Sequence, residues 1–329
     1  LEIIGNGPSE SALAERHIIV QTRIILNKIG ANLRQVSLLA ALAVLAGCTT
    51  APTQPEAPIA PPAAVAKVPP RVGLALGGGA ARGFAHVGVL QVLEESGIKP
   101  DLVVGTSAGS LVASLYASGR SAQQLQQVAM TMDEAAFADW TLPIFNRGVL
   151  RGEALARYVN GQVGNRLIEN MTVPLGIVAT DLNTGQGVLF RRGDTGTAVR
   201  ASSSVPAVFV PVKIGSQEYV DGGLVSPVPV RYAREMGAEV VVAVDISSAP
   251  EGNSSSDSIH LLLQTFAIMG KSINTWELKD ADIVVRPSLV GMGAGDFAGK
   301  KRAIEAGRAA MLAALPQLRA AMEAKAHTP

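Results

Sequence analysis

Leu102-Val103-Val104-Gly105-Thr106-Ser107-Ala108-Gly109 begins as a strand and ends as a helix. The apolar, partly β-branched run Leu102–Val104 favours extended backbone, and Gly105–Gly109 has the spacing G-x-S-x-G. In that context the pentapeptide reads as a sharp strand-to-helix turn with Ser107 at its apex. Small neighbours let the backbone make the turn and lift the serine Oγ above the sheet edge. The helix N-terminus beneath favours negative charge as it develops. Gly- and Ser-rich turns are common, so the reading depends on what flanks this one.

Outward from it, short apolar strands alternate with helical patterns. Val72–Leu76, Leu102–Val104, Val173–Ala179, Val188–Arg191, Val240–Val244 and Ile283–Val285 read as strands. Residues 84–96, 110–117, 121–132, 151–163 and the Ala-rich 300–325 read as helices. Strands this apolar, separated by helices, predict an α/β fold: a mostly parallel sheet covered on both faces. Pro250–Asp257 is polar and Ser-rich and reads as a loop.

Composition narrows the function classes. The 329 residues are 48% hydrophobic but only 4% aromatic, and 28 basic side chains nearly balance 27 acidic ones. That is enough apolar material for a large core. The even charge balance without basic runs argues against nucleic acid as a partner. A single cysteine, Cys48, excludes an internal disulfide and a cysteine zinc site.

The first strand runs into Gly77-Gly78-Gly79-Ala80-Ala81-Arg82-Gly83. A Gly-rich loop between strand and helix offers backbone N–H groups to an anion. Neither register of this loop matches G-x-G-x-x-G, and Phe84 follows Gly83 where a P-loop needs lysine. Two readings remain: an oxyanion hole formed by the N–H groups of Gly78, Gly79 and Ala80, with Arg82 pinning the loop or holding nearby negative charge, or a tight turn.

A serine nucleophile needs a base. Of the four histidines, His17 and His327 lie in terminal segments, and His260 adjoins the Ser-rich loop. His86 sits one turn into the first helix, where capping or packing competes with a role as the base. Asp221-Gly222-Gly223 follows the strand-like Glu218-Tyr219-Val220, which puts a carboxylate on a tight turn at a strand end. Asp181 and Asp245 also end strands and remain alternatives at this level.

Together Gly77–Gly83, Gly105–Gly109 and Asp221–Gly223 resemble, in order and placement, the motifs of the patatin-like phospholipase family. Val178–Gly185 and Ala201–Pro206 are similar to segments of its bacterial members, and the likeness runs from about Arg71 to Asp245. The resemblance implies a three-layer α/β/α sandwich and a Ser–Asp dyad without histidine, needing neither metal nor cofactor. On these positions Ser107 is the nucleophile and Asp221 the base. Gly78, Gly79 and Ala80 fall on the oxyanion glycines, and Arg82 on the basic loop position. Ala80 departs from the pattern. It keeps its N–H, but its methyl group is expected either to crowd the substrate or to require negative φ.

Ahead of this domain, Val36–Ala46 is an apolar run of signal-peptide length ending in Leu45-Ala46-Gly47-Cys48, which resembles a bacterial lipobox. The expectation is a leader over 1–47, with 1–27 an upstream start artefact and the n-region nearer Lys28. Cys48 would be acylated, and Thr49 in place of Asp points to the outer membrane. Residues 48–70, rich in Pro and Ala, form a linker, and 71–329 form the hydrolase domain. The implied partners are the bilayer, through Cys48, and a membrane phospholipid or lysophospholipid substrate. Phe137–Phe145 is a candidate acyl-site or lid segment. The competing functions are an esterase or thioesterase acting on soluble acyl substrates, and a catalytically silent envelope scaffold.

Overall fold

The computed structural model describes residues 67–133, 139, 148–247 and 258–328. The leader, Cys48, most of the linker, the Ser-rich 250–257 segment and, apart from Asp139, Phe137–Phe145 lie outside the described residues.

The strands are β1 (Val72–Leu76), β2 (Leu102–Thr106), β3 (Gly148–Leu150), β4 (Leu175–Asp181), β5 (Gly187–Phe190), β6 (Ala207–Phe209), β7 (Val212–Ile214), β8 (Gln217–Asp221), β9 (Val240–Val244) and β10 (Ile283–Val285). The helices are α1 (Ala85–Glu95), α2 (Ala108–Ala117), α3 (Ala122–Thr131), α4 (Glu153–Gln162), α5 (Thr195–Ser202), α6 (Val230–Glu235), α7 (Ser258–Glu277) and α8 (Lys300–Lys325). The main sheet has the order β10-β9-β1-β2-β4-β8-β7, with β5 also paired to β4. From β10 to β4 every pairing is parallel, whereas β5, β8 and β7 pair antiparallel at the far side.

Side-chain alternation on the strands gives the layers. Val72, Leu74, Leu76, Val240, Val242 and Val244 point into a large core shared with α1, α2, α3 and α8. Ala75, Val241 and Ala243 point into a smaller core on the opposite face, closed by Val230, Tyr232 and Ala233 of α6 and by Leu278. Because β1 and β9 are buried on both sides, they read as unbroken apolar runs. The result is a three-layer α/β/α arrangement.

Some elements go beyond the sequence pattern. β3 and β6 form a separate two-stranded parallel pair. α5 starts where Asp194 accepts a hydrogen bond from Thr197 N at 2.7 Å, a side-chain cap at the head of a polar sequence without a clear apolar stripe. Val68, within the expected linker, exchanges backbone hydrogen bonds with His327, so ordered pairing begins before Arg71.

α1 and α8 meet at backbone distance. A Cβ added to Gly88 would lie 1.9 Å from the Ile304 carbonyl oxygen, and one added to Gly307 would lie 2.0 Å from that of Ala85. These glycines let two helices of the large core pack without intervening side chains. Gly88→Val must therefore part the helices. It is expected to cost about 1–3 kcal/mol, read as a lower denaturant midpoint with an unchanged m-value.

Candidate active site

The register of β4 brings the candidate residues together. Ile177 and Val178 pair with β2 on one edge and with β5 on the other. One residue further on, Ala179 and Thr180 still pair with β5, but their other edge is taken by β8. Parallel β2 therefore stops at Thr106, opposite Val178, and antiparallel β8 arrives with Asp221 opposite Ala179. Two chain segments meet head to head on one edge of β4. The residue leaving β2 is Ser107, and the residue ending β8 is Asp221.

Ser107 Oγ donates to Asp221 Oδ2 at 2.7 Å. The other carboxylate oxygen accepts from Gly223 N at 2.7 Å, which is the work of the glycine turn after the strand. Asp221 is 6% exposed. Burial pushes its pKa up to about 6, against the opposing pull of the Gly223 and Ser107 hydrogen bonds. A carboxylate poised there can accept a proton near neutral pH.

Ser107 has φ 53° and ψ −123°, the strained apex expected of an elbow. Such backbone costs of order 1–3 kcal/mol and persists only when its surroundings hold it. Its N–H donates to Ser202 Oγ at 2.9 Å, and that hydroxyl donates onward to the Val178 carbonyl at 2.6 Å. Its carbonyl accepts from Ser110 Oγ at 2.6 Å. Gly109 lets α2 start directly above β1, since a Cβ there would sit 2.1 Å from the Leu76 carbonyl oxygen. On the Asp221 side, Thr180 Oγ1 donates to the Asp221 carbonyl at 2.8 Å, and Asp221 N donates to the Ser204 carbonyl at 2.9 Å.

These supports are the residues that sequence reading missed. Ser202 and Ser204 lie in the quoted Ala201–Pro206 run, and Thr180 lies in Val178–Gly185. Their presence was legible, but the partners they hold lie well away in the chain, up to 95 residues for Ser202 and Ser107.

The Gly-rich loop faces the same point. Gly78 N–H is occupied, donating to the Pro227 carbonyl at 2.9 Å. Among the described residues, the amides of Gly79 and Ala80 have no backbone acceptor. Ala80 takes φ 49°, so the expectation that its methyl group requires negative φ is corrected. It holds a left-handed conformation that normally favours glycine. The loop is closed by Arg82 N donating to the Gly79 carbonyl at 3.1 Å and Ala81 N to that of Ala294 at 3.0 Å. Arg82 borders the cavity that contains Ser107 and Asp221.

The rival candidates have other tasks. His86 is fully buried with Nε2 2.8 Å from the Gly77 carbonyl, which fixes the start of the loop. Burial lowers its pKa to about 4 and keeps the ring neutral. Asp181 accepts from the amides of Asn183 and Thr184, ordering a turn. Asp245 binds Ser247 and pairs with Arg286 at 3.3 Å. Among the described residues, no three His, Cys, Asp or Glu side chains converge as a metal site.

Two cavities meet at Ser107. One, of about 330 Å³, is lined mostly by apolar side chains, including Phe84, Leu111, Val112, Leu125, Val128 and Phe209. The other, of about 620 Å³, holds Asp221, Arg82 and the loop, with Leu263, Phe266 and Ala267 of α7 along its wall. The arrangement presents a hydroxyl bonded to a buried carboxylate, with the Gly-rich loop and an apolar recess bordering the same residue.

Residues 74–234 match the family model described as Patatin-like phospholipase. An uncharacterized NTE family protein of Mycobacterium tuberculosis is 35% identical over 196 residues, covering 56% of this chain and 51% of that protein. Patatin-like phospholipase domain-containing protein 6 of Mus musculus is 34% identical over 215 residues, covering 62% of this chain and 15% of that protein. The crystal structure of VipD from Legionella pneumophila is similar with a TM-score of 0.46 and 14% identity, covering 77% of this chain and 68% of that one. The chain spans about half the length of the first curated relatives it matches.

The buried carboxylate makes two pH-linked predictions. To act as a base Asp221 would have to be ionised, so in that role kcat/KM on a soluble ester should rise with pH through about 6 and level off above it. An ascending limb near the ordinary carboxylate value would contradict this environment for Asp221. Stability has the opposite sign. A carboxyl whose folded pKa is raised from 3.8 to about 6 contributes stability below about pH 4 that is lost as pH rises through 6. Asp221→Asn removes that buried charge, and the amide can still accept from Gly223. It is expected to gain roughly 2–3 kcal/mol of stability at pH 7, at about 1.4 kcal/mol per pKa unit, when urea melts of the two proteins are compared.

Proposed function

Over residues 74–234 the chain belongs to the patatin-like phospholipase family, and we propose that it is a serine lipid acyl hydrolase that cleaves carboxylic esters of phospholipids or lysophospholipids. The observation that carries this reading is the 2.7 Å bond from Ser107 Oγ to buried Asp221, at the mouth of an apolar recess.

Asp221 Oδ2 takes the proton as Ser107 Oγ bonds to the ester carbonyl carbon. The carbonyl oxygen becomes an oxyanion and receives the amides of Gly79 and Ala80. Gly78 contributes through loop shape, since its own N–H is bonded to Pro227. Losing one oxyanion donor costs roughly 3–4 kcal/mol in comparable sites. When the tetrahedral intermediate collapses, the carbon–oxygen bond to the alcohol breaks, and the proton on Asp221 passes to the leaving alkoxide. Water then attacks the acyl-serine, giving its proton to Asp221. Collapse of the second intermediate releases the carboxylic acid and returns the proton to Ser107.

The 330 Å³ apolar recess receives the acyl chain, and the larger cavity beside Arg82 receives the polar part of the lipid. Acylated Cys48, on its Pro- and Ala-rich spacer, tethers the domain to the bacterial envelope, at the periplasmic face of the outer membrane. The tether keeps the site close to its substrate.

A fluorophosphonate probe tests the chemistry. Folded protein should label at Ser107, and Ser107→Ala should not label at all. Asp221→Asn should slow both labelling and phospholipid hydrolysis by about 10²–10⁴-fold. Full activity in Asp221→Asn would remove the dyad. Turnover of short soluble esters without any release of fatty acid from phospholipid vesicles would favour the soluble-ester reading.

A further inference from the structure

α7 has two faces with different company. Leu263, Phe266, Ala267 and Gly270 line the cavity that holds Ser107 and Asp221. On the opposite face, Leu261 is 62% exposed, Ile268 53%, Met269 44% and Trp276 70%. At 100° per residue, positions 261, 268, 269 and 276 fall within one quadrant or so of the helix, and 263, 266, 267 and 270 fall across from it. Large apolar side chains clustered in this way are uncommon on a free surface and mark an interaction site.

Charge indicates what the face meets. The one acidic residue within α7, Glu277, is turned inward, buried, and accepts from Ser226 Oγ at 2.5 Å. The cations around the apolar face are Lys271 on the helix flank and Lys279 just beyond the helix, whose ammonium lies 3.8 Å from the centre of the Trp276 ring. Asp280 follows Lys279 on the exposed turn. Exposed Leu, Ile and Trp side chains flanked by lysines suit the boundary between acyl chains and anionic head groups. Among the described residues no helix is long and apolar enough to cross a membrane, which fits a helix lying in the interface plane.

We infer that α7 is the element through which the domain rests on a lipid surface bearing anionic head groups. Its outer face enters the interface through Leu261, Ile268, Met269 and Trp276, and its inner face forms the wall past which a lipid reaches Ser107. This deepens the lipid-hydrolase reading and rests on it for the reason the surface is visited. The contact is separate from the tether at Cys48: the tether sets proximity, and α7 sets orientation.

Tryptophan fluorescence tests this on the full chain, because Trp140 and Trp276 are its only tryptophans. With Trp140→Phe and Ser107→Ala, Trp276 emission should shift to the blue on adding vesicles of phosphatidylcholine mixed with phosphatidylglycerol. Brominated acyl chains should quench it. Leu261→Glu combined with Ile268→Glu, in a chain with Ser107 intact, should lower hydrolysis of those vesicles by about tenfold or more, in line with the loss of buried apolar area. Hydrolysis of a short soluble ester, the control for folding and chemistry, should stay unchanged. Absence of shift and quenching in protein that co-floats with vesicles overturns the inference. So does a finding that the double variant only turns a dimer into a monomer, with vesicle hydrolysis intact. If Trp276 enters the bilayer but the chain cleaves neither ester, the docking face stands and the hydrolase reading fails.

Discussion

The structure depends on where β2 stops along β4. Had the parallel pairing continued past Val178, its edge would be filled and β8 would have no place to bind. Because it ends there, the hydrogen-bonding groups of Ala179 and Thr180 go to an antiparallel strand arriving from the other direction. Two strand ends then face each other at consecutive ladder positions, Thr106 opposite Val178 and Asp221 opposite Ala179, and the gap between the chains is spanned by the bond from Ser107 Oγ to Asp221. Side chains 114 positions apart in the chain are aligned by backbone register, which fixes their separation more rigidly than loop contacts would.

Several unfavourable terms are concentrated around that gap. Ser107 and Ala80 both hold positive φ without being glycine, and Asp221 is buried with a raised pKa. Each is held by a specific neighbour: Ser202 under Ser107, the Gly79–Arg82 turn around Ala80, and Gly223 on the second oxygen of Asp221. The strained Ser107 and the Gly-rich loop line the same cavity, and burial raises the pKa of the carboxylate. The surrounding sheet, apolar on both faces, supplies the stability from which these costs are met.

The proposed lipid substrate draws on the features around Ser107 and Asp221. The apolar recess adjoins Ser107, and the second cavity has α7 as part of its wall. The same helix turns an apolar, lysine-flanked face outward. Ser107 borders both the recess and the larger cavity, and α7 forms part of the wall of the second.

Much of this was already determined by the sequence alone. Unbroken apolar runs such as Val240–Val244 specify central parallel strands, and the glycines of Gly77–Gly83, Gly105–Gly109 and Asp221–Gly223 mark where tight turns put chemistry at strand ends. These signals are local, because strand burial and turn geometry are written in neighbouring residues. Tertiary structure decided what depends on distant partners. It brought Asp221, to which the family resemblance already pointed, against Ser107 through the β4 register, and gave Asp181 and Asp245 other partners. It gave Ser202 and Thr180 their supporting roles, occupied the Gly78 amide with Pro227, and turned His86 toward a carbonyl. A hydrogen bond between residues far apart in sequence leaves no periodic trace in either segment, so it becomes visible only when the sheet has brought them together.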